Sequence, residues 1–249
     1  MINPTMGVGV WLMKKGGGTL SGGDTPLGRH LRFLETFARH EAITKVASLR
    51  GSIAQVGVGD GFGLITLAKL HDLVAPLSTS THFFGFDTFN FYPNPDEDEL
   101  RSVEKLATSP HNRFGAVTRE DVELRIAEYA ETAPFSQRKK SRFRIVEGPV
   151  EETLDSFEVG GTRFKLVEID VNLRTGTKKA LEFFWPLLAP GGLLIFGSYS
   201  MGDWPGETDE VHEFLLREGL MPRAFQDSDY PSGFVVKSFR NNDSDSLHS

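Results

Sequence analysis

The chain has 249 residues, no cysteine and a net charge of -7, with 39% hydrophobic and 24% charged residues. These values suit one α/β domain with a sizeable core and exclude disulfide frameworks, zinc–thiolate sites and thiol nucleophiles. The acidic balance argues against a nucleic-acid backbone as the main partner. No apolar run reaches membrane-spanning length, and Val8 to Met13 is too short for a signal-peptide core, so a cytoplasmic protein without membrane contact is expected.

Taken in chain order, residues 1–24 are glycine-rich and read as a flexible arm, 25–240 as the folded domain, and 241–249 as a polar disordered tail. Leu27 to Ala47 predicts a helix, with Leu27, Leu31, Leu34, Phe37 and Ala38 as its apolar stripe. Strands are expected at Ile53–Val58, His82–Phe86, Phe143–Glu147, Phe164–Ile169 and Leu193–Phe196. Helices are expected between them, at Leu64–Leu73, Thr118–Ala130, Thr175–Leu188 and Thr208–Glu218. Alternation of this kind predicts a doubly wound, mostly parallel sheet. Pro222–Gln226 and Gly233–Phe239 then close it as an antiparallel hairpin. Residues 89–114 exceed what such a fold needs and follow a strand end on the ligand-binding side, which marks a lid. Its acidic run, Asp96 to Glu99, reads as solvated, as does the basic cluster Arg138 to Arg142.

The most informative stretch is Ser52 to Gly63, where an apolar strand runs into Gly57, Gly59, Gly61 and Gly63, with Val58 between the first two. Glycines at a strand-to-helix turn let a ligand approach the main chain closely. The next strand ends in Asp87, placed to accept hydrogen bonds from ribose hydroxyls. Together they point to an adenosine-containing cofactor, with Thr88, Phe89 and Gly148 assigned to the same site. A dinucleotide fingerprint would need G-x-G-x-x-G. Its third glycine falls on Phe62, Leu64 or Thr66, so a nicotinamide enzyme is disfavoured.

The alternating glycines resemble motif I of class I S-adenosylmethionine methyltransferases. Gly85-Phe86-Asp87-Thr88-Phe89, Lys178 to Phe184 and Trp204-Pro205-Gly206-Glu207-Thr208 resemble the macrocin-type sugar O-methyltransferases, in the branch acting on nucleotide-activated deoxysugars. The resemblance runs from about Leu31 to Phe214. It implies a Rossmann-like class I fold, S-adenosylmethionine as cofactor, a small-molecule sugar acceptor and a homo-oligomer.

Two departures from that family matter. Its magnesium ligands fall on Asp170, Asn172, Gly197 and Ser198, which offer one carboxylate, one amide and one hydroxyl. Magnesium favours hard charged oxygens, so no magnesium is expected here. The acid that pairs with the cofactor's ammonium falls on Gln55, which removes the charge-assisted part of that bond. Restoring it with Gln55→Glu is expected to tighten binding, while Asp60 nearby is expected to face solvent.

Without a metal, a side chain must take the acceptor's proton. The candidates are Asp170, otherwise a turn cap; Glu207, otherwise an acid at a helix N-terminus worth about 0.3–1 kcal/mol; and His111 on the lid, otherwise a surface residue. His212 is expected on a helix surface. Two functions stay open: an O-methyltransferase using a side-chain base, and an inactive methyltransferase-like partner subunit.

Overall fold

Apolar residues three and four apart make Pro26–Val46 the first helix, α1. Its C-terminal half meets the sheet through Ala38, Ala42, Ile43 and Val46, whereas Phe37 of the predicted stripe stands exposed. The computed structural model describes residues 26–90, 92–107, 117–132, 140–226, 228 and 230–238. After α1 come β1 (Ser52–Val56), α2 (Phe62–Val74), β2 (Phe83–Asp87), α3 (Leu100–Ala107), α4 (Arg119–Thr132), β3 (Phe143–Glu147) and α5 (Val150–Ser156). The chain continues through β4 (Phe164–Ile169), α6 (Arg174–Leu187), β5 (Leu188–Phe196), α7 (Pro205–Glu218) and β6 (Gly233–Val236).

The six strands lie in the order β3-β2-β1-β4-β5-β6. All pairs are parallel except β5 with β6, where Leu193 faces Val236 and Phe196 faces Gly233. Both faces of the sheet are covered, so every residue of β1 and β4 is buried. On one face α1, α2 and α4 pack on Ile53, Phe83, Leu166 and Ile195. On the other, α5, α6 and α7 pack on Ala54, Phe86, Val167 and Phe196. The class I methyltransferase architecture expected from the sequence is present, its last strand antiparallel.

The winding reverses between β1 and β4. The connections that leave their carboxyl ends therefore run to opposite faces and open a crevice, the place where open α/β sheets bind ligands. The predicted strand at Pro222–Gln226 is reduced to one bridge, Arg223 to Phe234, because β6 makes its ladder with β5 instead. Among the described residues two helices had no counterpart in the sequence reading, α5 and α3, the latter within residues 89–114. Among the described residues no helix is long and apolar enough to cross a membrane.

Candidate active site

The turn after β1 brings two strand ends so close that only a hydrogen fits between them. Gly57 has φ +89°, and a Cβ there would lie 2.0 Å from the Asp170 carbonyl oxygen. Gly59 and Gly61 also take positive φ; Gly61 caps α2, and Gly63 lies in its first turn. Val58 is buried beneath this turn. Asp87, at the end of β2, organises the turn. Its Oδ2 accepts the Gly59 N–H at 2.7 Å and its Oδ1 the Phe89 N–H at 2.8 Å. Gly148 donates its N–H to the Asp87 carbonyl at 2.9 Å, so the ends of β2 and β3 are joined. Thr88 turns away, its hydroxyl donating to the Asn90 carbonyl. Burial raises the Asp87 carboxyl above its ordinary range, against four main-chain N–H groups that favour its charge.

At the end of β4 stands Asp170, partly buried. Its Oδ1 accepts the Ser198 hydroxyl at 3.3 Å and its Oδ2 the Tyr230 hydroxyl. Gly197 makes this possible, since a Cβ there would lie 2.3 Å from Asp170 Oδ1. Burial pushes the Asp170 carboxyl up to about 6, with the Tyr230 hydrogen bond opposing.

Glu207, in the first turn of α7, is buried too. Its oxygens accept the main-chain N–H groups of Ser198 at 2.7 Å and Asn172 at 3.0 Å, tying together the ends of β5 and β4. Burial and the neighbouring Asp170 charge push it up to about 8. A solvated acid capping a helix is therefore the wrong description of Glu207; it is an internal brace. Asn172, at φ +65°, donates through Nδ2 to the Tyr92 hydroxyl at 2.7 Å, and its Oδ1 is buried without a hydrogen-bond partner. Tyr92 packs on Trp204 with ring centroids 5.1 Å apart.

Other expectations need correction. Gln55 is buried in β1, its amide nitrogen donating to Glu168 Oε1 at 3.1 Å while its oxygen is buried without a partner. Added charge at 55 would therefore meet a carboxylate. Asp60 does not simply face solvent: it pairs with Arg32 at 2.5 Å and with Arg125 at 3.3 Å. Nor is the acidic run of the lid solvated throughout. Glu99 is 1% exposed and accepts the N–H groups of Asp96 and Arg174, while the Arg174 side chain pairs with Asp96 and Asp98. His212 is on the helix surface as expected. His111 lies outside the described residues, as do 1–25 and 239–249.

The site thus brings together the glycine turn with Asp87 and Gly148, and Asp170 with Glu207. Sequence reasoning missed Tyr230, Tyr92 as a partner of Asn172, and the buried ion pair of Arg39 with Glu168 at 2.7 Å. Only that pair left a signal: Glu168, like Lys165, is a charge inside a strand that reads as buried, which demands a partner.

The donor set does not suit magnesium. Both Asp170 oxygens are engaged by hydroxyls, both Glu207 oxygens by main-chain N–H groups, and Gly197 offers no side chain. The glycine turn and the Asp87 carboxylate border the crevice at a position suited to a nucleoside, while Gly57, Gly61 and Gly63 themselves pack closely on Asp170, Val122 and Gln55.

Residues 54–199 match a family model described as a methyltransferase domain. A curated protein of Streptomyces olivaceus, 8-demethyl-8-(2,3-dimethoxy-alpha-L-rhamnosyl)-tetracenomycin-C 4'-O-methyltransferase, is 25% identical over 170 residues, 68% of this chain. The match spans 60% of that relative's length. The crystal structure of the calicheamicin methyltransferase CalS11 has a TM-score of 0.69 at 21% identity, covering 95% of this chain and 94% of its own. The apo form of CalS11, described as a TDP-rhamnose 3'-O-methyltransferase, has a TM-score of 0.62 at 20% identity, covering 95% and 96%. These likenesses show the fold, and the family match extends over more than half of the sequence: the chain belongs to the methyltransferase-domain family.

Proposed function

We propose that the protein is an S-adenosylmethionine-dependent O-methyltransferase acting on a sugar hydroxyl of a small molecule. The observation that carries this is Asp170, a partly buried carboxylate held by Tyr230 and Ser198 at the crevice, next to the glycine turn. The named activities of the S. olivaceus protein and of CalS11 both involve rhamnose. They support a rhamnose-like deoxysugar, free on a nucleotide or attached to a natural product, as the acceptor.

When bound, S-adenosylmethionine supplies a methyl group on a positively charged sulfur. Gly57, Val58, Gly59, Gly61 and Gly63 would line its path, Asp87 with Phe89 would hold the ribose, and Gly148 would border the base. Asp170 is the base that takes the acceptor's hydroxyl proton, ionised above about pH 6. Tyr230 and Ser198 fix its carboxylate, and Glu207 braces the strand ends beneath it. Tyr92 and Trp204 stand at the acceptor side, where the lid meets the loop after β5. No step requires magnesium: the family's metal positions offer one carboxylate, already bonded to Tyr230 and Ser198, beside one amide oxygen and no second acid. Homo-oligomer formation belongs to the same proposal, supported by Phe33 and Phe37, an exposed edge-to-face pair on α1.

Asp170→Asn tests the assignment. Turnover of a rhamnosyl acceptor should fall by about a hundredfold or more, with S-adenosylhomocysteine affinity nearly unchanged. Turnover surviving that substitution would remove Asp170 as the base.

A further inference from the structure

Behind the glycine turn lies a buried cluster that the proposed proton transfer does not use. Arg39 of α1 binds Glu168 through Nε at 3.1 Å and Nη2 at 2.7 Å. Its Nη1 binds Glu35, one helical turn earlier, at 3.1 Å. Gln55 joins through its amide nitrogen and leaves its oxygen buried without a partner. The charges of Glu35, Glu168 and Arg39 all act on Asp170, and those of Glu35 and Arg39 on Tyr230. The Arg39 guanidinium thus stands among three carboxylates, Glu35, Glu168 and Asp170, with Arg32 acting on Glu35 from its pair with Asp60, next to an amide oxygen lacking a donor. Buried charge is costly unless it is balanced. This cluster has an acceptor to spare and negative charge to spare, so its complement is a cation that donates hydrogen bonds.

Given the proposed function, the layout says which cation. A nucleoside held at the ends of β2 and β3 by Asp87 and Gly148 directs the rest of the donor molecule across the glycine turn toward the ends of β1 and β4. There its amino-acid end meets the cluster. We infer that Glu35, together with the Gln55 amide oxygen and Glu168, forms an anionic seat for the ammonium of the methyl donor, replacing a carboxylate at position 55. Glu35 is the more accessible member, held by one hydrogen bond from Arg39, whereas Arg39 and Gln55 hold the fully buried Glu168 through three. Burial raises the Glu35 carboxyl above its ordinary range, against the Arg39 and Arg32 charges that lower it.

The test compares two nucleosides on the full chain by calorimetry. S-adenosylhomocysteine carries the ammonium; 5'-methylthioadenosine keeps the nucleoside and sulfur but lacks the amino-acid end. Glu35→Gln should weaken S-adenosylhomocysteine by about tenfold or more, the effect of losing a hydrogen bond to a charged group, and leave methylthioadenosine within about twofold. Glu35→Asp, which keeps the charge, should retain most of the affinity, and it serves if the glutamine variant does not fold. Equal weakening of both ligands, or no change in either, would overturn the assignment while leaving the cofactor site in place. A wild-type chain that binds neither nucleoside would overturn the cofactor reading itself and this inference with it.

Discussion

Glu207 offers a charge that can be measured without any substrate. Two main-chain N–H groups favour its ionised form, whereas burial and Asp170 oppose it, and the opposing effects carry the group from 4.5 to about 8. The folded pKa lies above the unfolded one. The folded chain therefore keeps a proton that the unfolded chain has released across that window. Stability from this group is complete below about pH 4.5 and is lost as pH rises toward 8. At ~1.4 kcal/mol per pH unit, the span from 4.5 to about 8 amounts to ~5 kcal/mol, of which most falls between about pH 5 and pH 9. Glu207→Gln keeps the shape and cannot titrate. It adds a pH-independent cost, because its amide nitrogen faces a main-chain donor. Urea unfolding of both proteins from about pH 5 to about pH 9 should show the wild type losing ~3–4 kcal/mol relative to the variant. A difference that stays flat with pH would mean that the N–H groups prevail, Glu207 is ionised, and Asp170 works beside a second negative charge.

Three further substitutions probe the site's construction. Gly57→Ala combines an unfavourable positive φ with a Cβ 2.0 Å from the Asp170 carbonyl oxygen; it should cost about 3 kcal/mol or more in thermal or urea unfolding, and a near-neutral result would mean that the strand ends are not this close. Gln55→Glu sets a carboxylate beside Glu168 in a buried site, so it should destabilise by about 3 kcal/mol or more and fail to tighten S-adenosylmethionine, in contrast to expectation from the family pattern; calorimetry showing tighter binding would restore that expectation. Asp87→Ala should weaken S-adenosylhomocysteine by ~1–3 kcal/mol and also lower the melting temperature, since Gly59 and Phe89 lose their acceptor; an unchanged dissociation constant would remove Asp87 from the ribose site.

The parts of this structure that the sequence announces are those governed by local chemistry. Apolar runs bounded by glycine placed the five parallel strands, and the glycines from Gly57 to Gly63 with Asp87 located the crevice, because backbone freedom and strand-end position are written in neighbouring residues. What stayed hidden depends on residues far apart in the chain. Glu99 sits in an acidic run that reads as solvated, yet its partner is the Arg174 N–H, 75 positions on. Tyr230 reaches Asp170 across 60 positions, and no periodicity marks it. Gln55 looked like a simple loss of charge at a strand end. Glu168, beside it in register on β4, makes that amide a structural member of a buried ion network. Long-range pairing of polar groups is settled by packing, so it emerges only once the sheet order is known.

The central claim is metal-free methyl transfer to a sugar hydroxyl. Its most direct measurement is mass spectrometry of the full chain incubated with S-adenosylmethionine and either TDP-rhamnose or a rhamnosylated natural product, with and without excess EDTA. The account predicts an acceptor one methylene heavier, formed at the same rate under both conditions. Product that disappears with EDTA and returns with magnesium, or no product from any sugar acceptor, would contradict it.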